Sequence, residues 1–268
     1  FKQKTAYEIY QCDWSSDVCS SDLRQLVEFR DTLAERHKCL SLKPGDDQPK
    51  YAFVHGNLAL GNSAGGSFCG VDDEVAVLQE TGCYADMTLP SAPDRSQVAT
   101  INTIYECGHP LDEAVPHRDG IRLGTNRHRP QLPVIIQGPL VFNWKRTIGG
   151  FPVPRIDDGA LVANQVSDRA RFRRWLSANV TVAGRPDWIF VKLYCHGFFD
   201  DDQDACIGEG ARRFFGEVVE NGAKTGKYRI HFTSAREAFN ISMAASDGLA
   251  GNPNAYRDYL LRPIMSLS

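Results

Sequence analysis

No apolar run in the 268 residues approaches the ~20 needed to cross a bilayer, which excludes a spanning helix. Neither charge is in surplus: 30 Lys and Arg stand against 33 Asp and Glu. A nucleic-acid binder needs a basic excess or stripe, so that class is set aside. The eight cysteines form no CxxC pair and no zinc-ribbon spacing, which removes a zinc module. Cys83 and Cys195 lie inside apolar runs and read as free thiols rather than disulfide partners. HExxH, GxxxxGK[ST] and GxGxxG are all missing. Metalloprotease and phosphate-cradling chemistry therefore have no motif to rest on. No internal repeat or low-complexity linker divides the chain.

Residues 1–23 stand apart from the rest. Lys2–Glu8 and Cys12–Leu23 match, residue for residue, the translation of a common sequencing adapter, with Ile9–Gln11 where its variable index falls. The segment reads as non-native and poorly ordered. The domain then begins at Arg24, in mid-helix, as the C-terminal part of a longer parent. Without the segment 28 basic and 29 acidic residues remain. The 245 residues 24–268 have ample length for one α/β core.

What is present is alternation. Arg24–Leu42 has helical spacing of Leu26, Phe29, Leu33 and Leu40. Strand character follows at Tyr51–Val54, then a glycine-rich loop to Gly70. The acidic start Asp72-Asp73-Glu74 suits a helix ending at Gly82. Further strands are expected at Cys83–Leu89, within Thr100–Cys107, at Pro133–Trp144 (interrupted at Gln137-Gly138-Pro139), at Asp187–His196 and at Tyr228–Thr233. Helices are expected at Ser167–Asn179, at Gly208–Asn221 stopped by Gly222, at Ser234–Ala245 and at Asn254–Leu261. Ser234 and Glu237 have capping-box spacing. The strands lack period-two polarity and read as buried on both faces. Together these features predict a parallel sheet or barrel.

Polar groups gather at the expected carboxyl ends of those strands: His55 and Asn57, then Asp86, Gln137, Lys192 with Tyr194 and His196, and finally His231 with Arg236 and Glu237. Barrel enzymes keep their chemistry at that pole. In Asp187–His196 alternation places Lys192, Tyr194 and His196 on one face. A lysine in so apolar a strand faces a polar cavity, pairs with an acid, or snorkels to the surface. His196, next to a glycine, has the ordinary pKa of a general acid or base. His231 reads equally as a hydrogen-bonded core residue, and Arg236 with Glu237 equally as a cap and surface ion pair. His117, in the long loop Gly108–Pro133, reads as solvated. His55, Asp86 and His196 form the one trio able to converge on a divalent metal.

With these residues in view, the chain resembles uncharacterised bacterial proteins related to the polysaccharide deacetylases of the glycoside hydrolase/deacetylase superfamily. The resemblance rests on YAFVHGNLALGNS (51–63), CGVDDEVAVLQETGCYADMTLPSAP (69–93), IQGPL (136–140), DWIFVKLYCHG (187–197) and IHFTSAREAFN (230–240). It implies an incomplete, distorted (β/α) barrel of mostly parallel strands and a metal-dependent hydrolase that removes acyl groups from a carbohydrate. His196 corresponds to the late-strand histidine that protonates the leaving amine, and His55 lies on the substrate side. Asn57, Asp86, Gln137, Lys192, Tyr194, His231, Arg236 and Glu237 would contact substrate. The early-strand motif with the metal ligands is not in this chain, and Tyr194 stands where an imidazole is expected. As it stands the chain is therefore expected to be inactive or nearly so. Two alternatives stay open: a glycoside hydrolase on the same barrel, with Asp86 and Glu237 as its carboxylates, and a non-catalytic carbohydrate-binding protein.

Overall fold

A five-stranded mixed sheet, not a barrel, positions the strand ends. The computed structural model describes residues 19–68, 70–89, 94–126, 128–144, 147–165, 167–195 and 200–266. Most of the adapter-like segment lies outside them. Helix α1 (Cys19–Asp31) runs into a π-turn at Thr32–Arg36. Strand β1 (Ser41–Leu42) precedes β2 (Tyr51–Phe53). Helix α2 (Glu74–Glu80) then connects β2 to the parallel strand β3 (Cys83–Asp86). Gly82, at φ +97°, makes the turn between α2 and β3.

The remaining strands explain why the sheet does not close. β4 (Ile104–Glu106), β5 (Ile121–Arg122) and β6 (Val134–Ile136) complete it in the order β2-β3-β6-β4-β5. Only β2, β3 and β6 run parallel; β4 is antiparallel to β6 and β5 to β4. β7 (Leu140–Asn143) leaves the sheet after Gln137-Gly138-Pro139 and pairs with β10 (Arg155–Asp158). Between them β8 (Thr147–Ile148) and β9 (Phe151–Pro152) form a separate ladder. β11 (Arg262–Pro263) closes on β1.

The expectation of a mostly parallel barrel fails at two runs. Asp187–His196 forms no strand among its described residues; its one pairing is an isolated bridge between Tyr194 and Ala160. Tyr228–Thr233 forms none either. Their apolar side chains are used elsewhere: Val191, Leu193, Tyr228 and Ile230 pack on a cluster of Leu161, Phe172, Trp175, Phe214 and Val218. An apolar run buried against helices satisfies the same hydrophobic pattern as a strand buried in a sheet.

The unpatterned strands of the sheet have a simpler cause, since both faces are covered. Ile104, Val134 and Ile136 join Phe239, Ile241 and Met243 on one side. Tyr105 and Ile135 join Leu60, Val75 and Leu78 on the other. Helices α3 (Arg169–Ser177), α4 (Asp200–Ile207), α5 (Glu209–Thr225) and α6 (Ala235–Ser246) complete the main elements. The Asp168 side chain caps α3 by accepting from Arg171 N, and the capping box of Ser234 and Glu237 opens α6. α5 runs past Gly222 to a left-handed cap at Gly226. The expected helix Asn254–Leu261 is only a 3-10 turn at Pro253–Tyr256. The buried Asn240 side chain takes the backbone groups of Arg257, Leu260 and Leu261 that a helix would have used.

Candidate active site at the carboxyl ends of two parallel strands

β2 and β3 bring His55 and Asp86 to the same end of the sheet, as the alternation suggested. Asp86 is fully buried. Its Oδ1 accepts from Thr88 N at 3.0 Å and its Oδ2 from the Thr88 hydroxyl at 2.7 Å. The same hydroxyl oxygen accepts from His55 N at 2.9 Å, so one threonine ties the two strand ends together. Burial raises the Asp86 carboxyl above its ordinary range, against the Thr88 hydrogen bonds and the Lys192 charge.

Lys192 reaches this group from the extended run. Its ammonium donates to the carbonyl of Met87 at 2.6 Å and to that of Leu89. Burial lowers its pKa, and the Asp86 charge opposes that shift. The backbone approach depends on glycine: a Cβ on Gly138 would stand 2.8 Å from the Lys192 carbonyl oxygen, and one on Gly159 only 2.3 Å. Of the three fates open to this lysine, snorkelling to solvent does not occur: its ammonium is held by two backbone carbonyls beside Asp86.

The imidazole of His55 is held by its own loop. Nδ1 accepts from Asn57 N and Ala59 N, each at 3.2 Å. Two donors aimed at Nδ1 assign the ring proton to Nε2. Nε2 faces Glu74 Oε1 at 3.6 Å, while Gly61 N donates to Glu74 Oε2 at 2.6 Å. Burial pushes Glu74 up to about 8, with smaller contributions from Asp86 and Asp73 against the Gly61 bond. At neutral pH Glu74 thus carries its proton, so this contact is not a charge pair despite its ion-pair distance. Chemically the cluster offers a neutral Nε2–H donor beside a carboxyl that exchanges its proton near neutrality.

Glu74 was legible only as a helix-start acid. A finer signal was present: it stands four residues before Leu78 and one before Val75, on the apolar stripe that α2 buries. His117 also departs from expectation. It is fully buried rather than solvated, and neither ring nitrogen has a hydrogen-bond partner among the described residues. Burial, aided by Arg118, pushes its pKa down to about 4.

The other expected site residues are held elsewhere. Asn57 is exposed and enters through its backbone amide. Gln137 is buried in a clamp: its amide bonds Thr103 N at 3.1 Å and the Thr100 carbonyl at 2.5 Å, so its hydrogen bonds serve the backbone. Tyr194 donates to Asp158 Oδ2 at 2.7 Å, and that bond and burial raise the phenol's pKa. This places Tyr194 in the buried ionic network where Arg171 bonds Asp157 at 2.8 Å and the carbonyls of Asp158 and Ala160. His231 pairs with Asn254 Oδ1 at 2.9 Å. Arg236 bonds Asp258 and two carbonyls, and Glu237 serves the capping box and pairs with Arg257 at 2.9 Å. His196 lies outside the described residues.

These contacts bear on the metal trio. His55 Nδ1 and both Asp86 oxygens already accept hydrogen bonds from the protein. Among the described residues, no group of three His, Cys, Asp or Glu side chains is arranged to hold a metal. Nor is any helix among them long and apolar enough to cross a membrane. No protein-family model, curated protein or solved structure matches the chain.

Proposed function

We propose that the chain carries the site of a carbohydrate-active hydrolase of the deacetylase-like type, inactive or nearly so as it stands, with its acid–base groups at the carboxyl ends of β2 and β3. The observation that carries the reading is the pairing of His55 with Glu74. A neutral imidazole fixed as an Nε2–H donor can polarise an acyl oxygen, as neutral histidines do in other enzymes. A carboxyl with a pKa near 8 can lend and recover a proton at working pH. Thr88, held by Asp86, ties the two strand ends together, and Lys192 bonds the Met87 and Leu89 carbonyls that flank Thr88. His196 keeps the proposed role of late general acid, and no step is routed through a metal.

The test is binding with and without turnover. The purified chain is titrated with N-acetylglucosamine oligomers and acetylated xylan fragments, followed by saturation-transfer NMR and by acetate detection. Binding that weakens about tenfold in His55→Gln and Asn57→Ala, with unchanged circular dichroism, supports the reading. Absence of binding to either glycan, or equal binding by the variants, refutes it. Acetate is expected at background level; metal-dependent release above background overturns the expectation that this chain is inactive.

A second reading, a non-catalytic carbohydrate-binding protein, is favoured by one observation. The rings of Phe142, on β7, and Trp144, one residue past its end, lie 5.9 Å apart at a 52° tilt and stay 60% and 59% exposed. Exposed ring pairs suit sugar faces. Binding lost in Trp144→Ala but retained in His55→Gln selects it. The glycoside hydrolase alternative loses its second carboxylate, because Glu237 is committed to the α6 cap.

A further inference from the structure

Five described cysteines carry free thiols, and two of them are neighbours in space although separated in sequence. Cys195 is exposed and Cys206 is half-buried in α4. The backbone brings them together through one shared turn. Tyr194 N donates to the Gly159 carbonyl at 3.0 Å, and Leu161 N donates to the Tyr194 carbonyl at 2.8 Å. The Cys206 thiol then reaches the carbonyl of the same Leu161, with Sγ at 3.4 Å. Cys206 is thereby seated beside the residue that follows Tyr194, within hydrogen-bonding reach of the Cys195 thiol.

We propose that Cys195 and Cys206 form a reversible disulfide on exposure to a peroxide. Cys195, the more accessible sulfur, attacks one peroxide oxygen; the O–O bond breaks, water is released and a sulfenic acid forms. Cys206 then gives up its proton and attacks the Cys195 sulfur. The S–S bond forms as the sulfenic oxygen leaves in a second water. Two thiols are oxidised by two electrons, and one peroxide is reduced to two waters. Burial and the contact with Cys195 push the Cys206 thiol up to about 11, which suits a resolving thiol that stays protonated until its partner is activated. Cys39, exposed and with no cysteine beside it among the described residues, is the internal control.

No lysine or arginine lies between Leu193 and Arg212, so trypsin releases both cysteines in one peptide. The full chain is treated with hydrogen peroxide, alkylated without reduction, digested and weighed. The expected result is a Leu193–Arg212 peptide lighter by two hydrogens that takes no alkyl group until it is reduced. In Cys206→Ser the same treatment should leave Cys195 as a sulfenic acid that dimedone labels. A wild-type peptide that stays doubly alkylated, that carries separate oxygen adducts, or whose cysteines pair with Cys39 overturns the proposal.

Discussion

Replacing Glu74 with glutamine should change how the stability of this protein depends on pH. The carboxyl has an ordinary pKa of 4.5 and is pushed to about 8 by burial. Between those values the folded protein holds a proton that the unfolded chain has released. Stability must then fall as pH rises through the window, by about 1.4 kcal/mol per pH unit for one group. From pH 5 to pH 8 this sums to about 4 kcal/mol for a fully enclosed carboxyl. The Glu74 side chain is 12% exposed, which reduces the expectation to about 3 kcal/mol. Glutamine keeps an oxygen for Gly61 N and cannot titrate. Urea unfolding of wild type and E74Q at pH 5, 6, 7 and 8 measures the difference directly. The titrations of Asp86 and Lys192 occur in both proteins and cancel in the comparison. E74Q should gain about 3 kcal/mol on wild type between pH 5 and pH 8. Parallel stability curves would refute both the neutral assignment of Glu74 and the acid–base role built on it.

Three further outcomes follow from the contacts described. Lys192→Met removes the cation nearest Asp86 and two carbonyl partners, and should destabilise by about 3 kcal/mol while raising the Asp86 pKa further. Carboxyl-carbon NMR titration reads that shift, and an unmoved Asp86 would show that the two groups do not interact. Arg171→Ala removes one of the two cations on buried Asp157, leaving Arg174 at 2.7 Å, together with the bonds to the Asp158 and Ala160 carbonyls. It should cost about 3 kcal/mol in urea unfolding, where a loss below about 1 kcal/mol would mark the network as solvated. Ser234→Ala deletes one half of the α6 capping box, for a loss of about 1 kcal/mol seen as a lower melting temperature.

Local features were legible wherever one short stretch decides them. The Asp168 cap, the Ser234–Glu237 box and the break at Gln137-Gly138-Pro139 all depend on neighbours within a few residues. Gly222 was misread because a glycine ends a helix only when the chain takes the left-handed turn there. Here Gly226 takes it, at φ +64°, and Gly222 instead gives room to Tyr228, whose carbonyl would stand 2.7 Å from a Cβ. The candidate site was half legible. His55 and Asp86 stand at strand ends, whereas Glu74 reaches the site through the burial of one helix face.

The sequence by itself determined the order of the strong elements, the caps of α3 and α6 and the placing of His55 and Asp86 at one pole. Each rests on backbone propensity or on burial that a local pattern records. Only the tertiary structure decided that the sheet stays open. The apolar runs 187–195 and 228–233 found helices rather than strand partners, and burial against either removes the same surface from water. The tertiary structure also decided the partners of Tyr194 and Gln137, which bond groups 36 and 37 residues away in the chain. Hydrogen bonds over such separations leave no periodicity to read, because their geometry exists only once the core has closed around them.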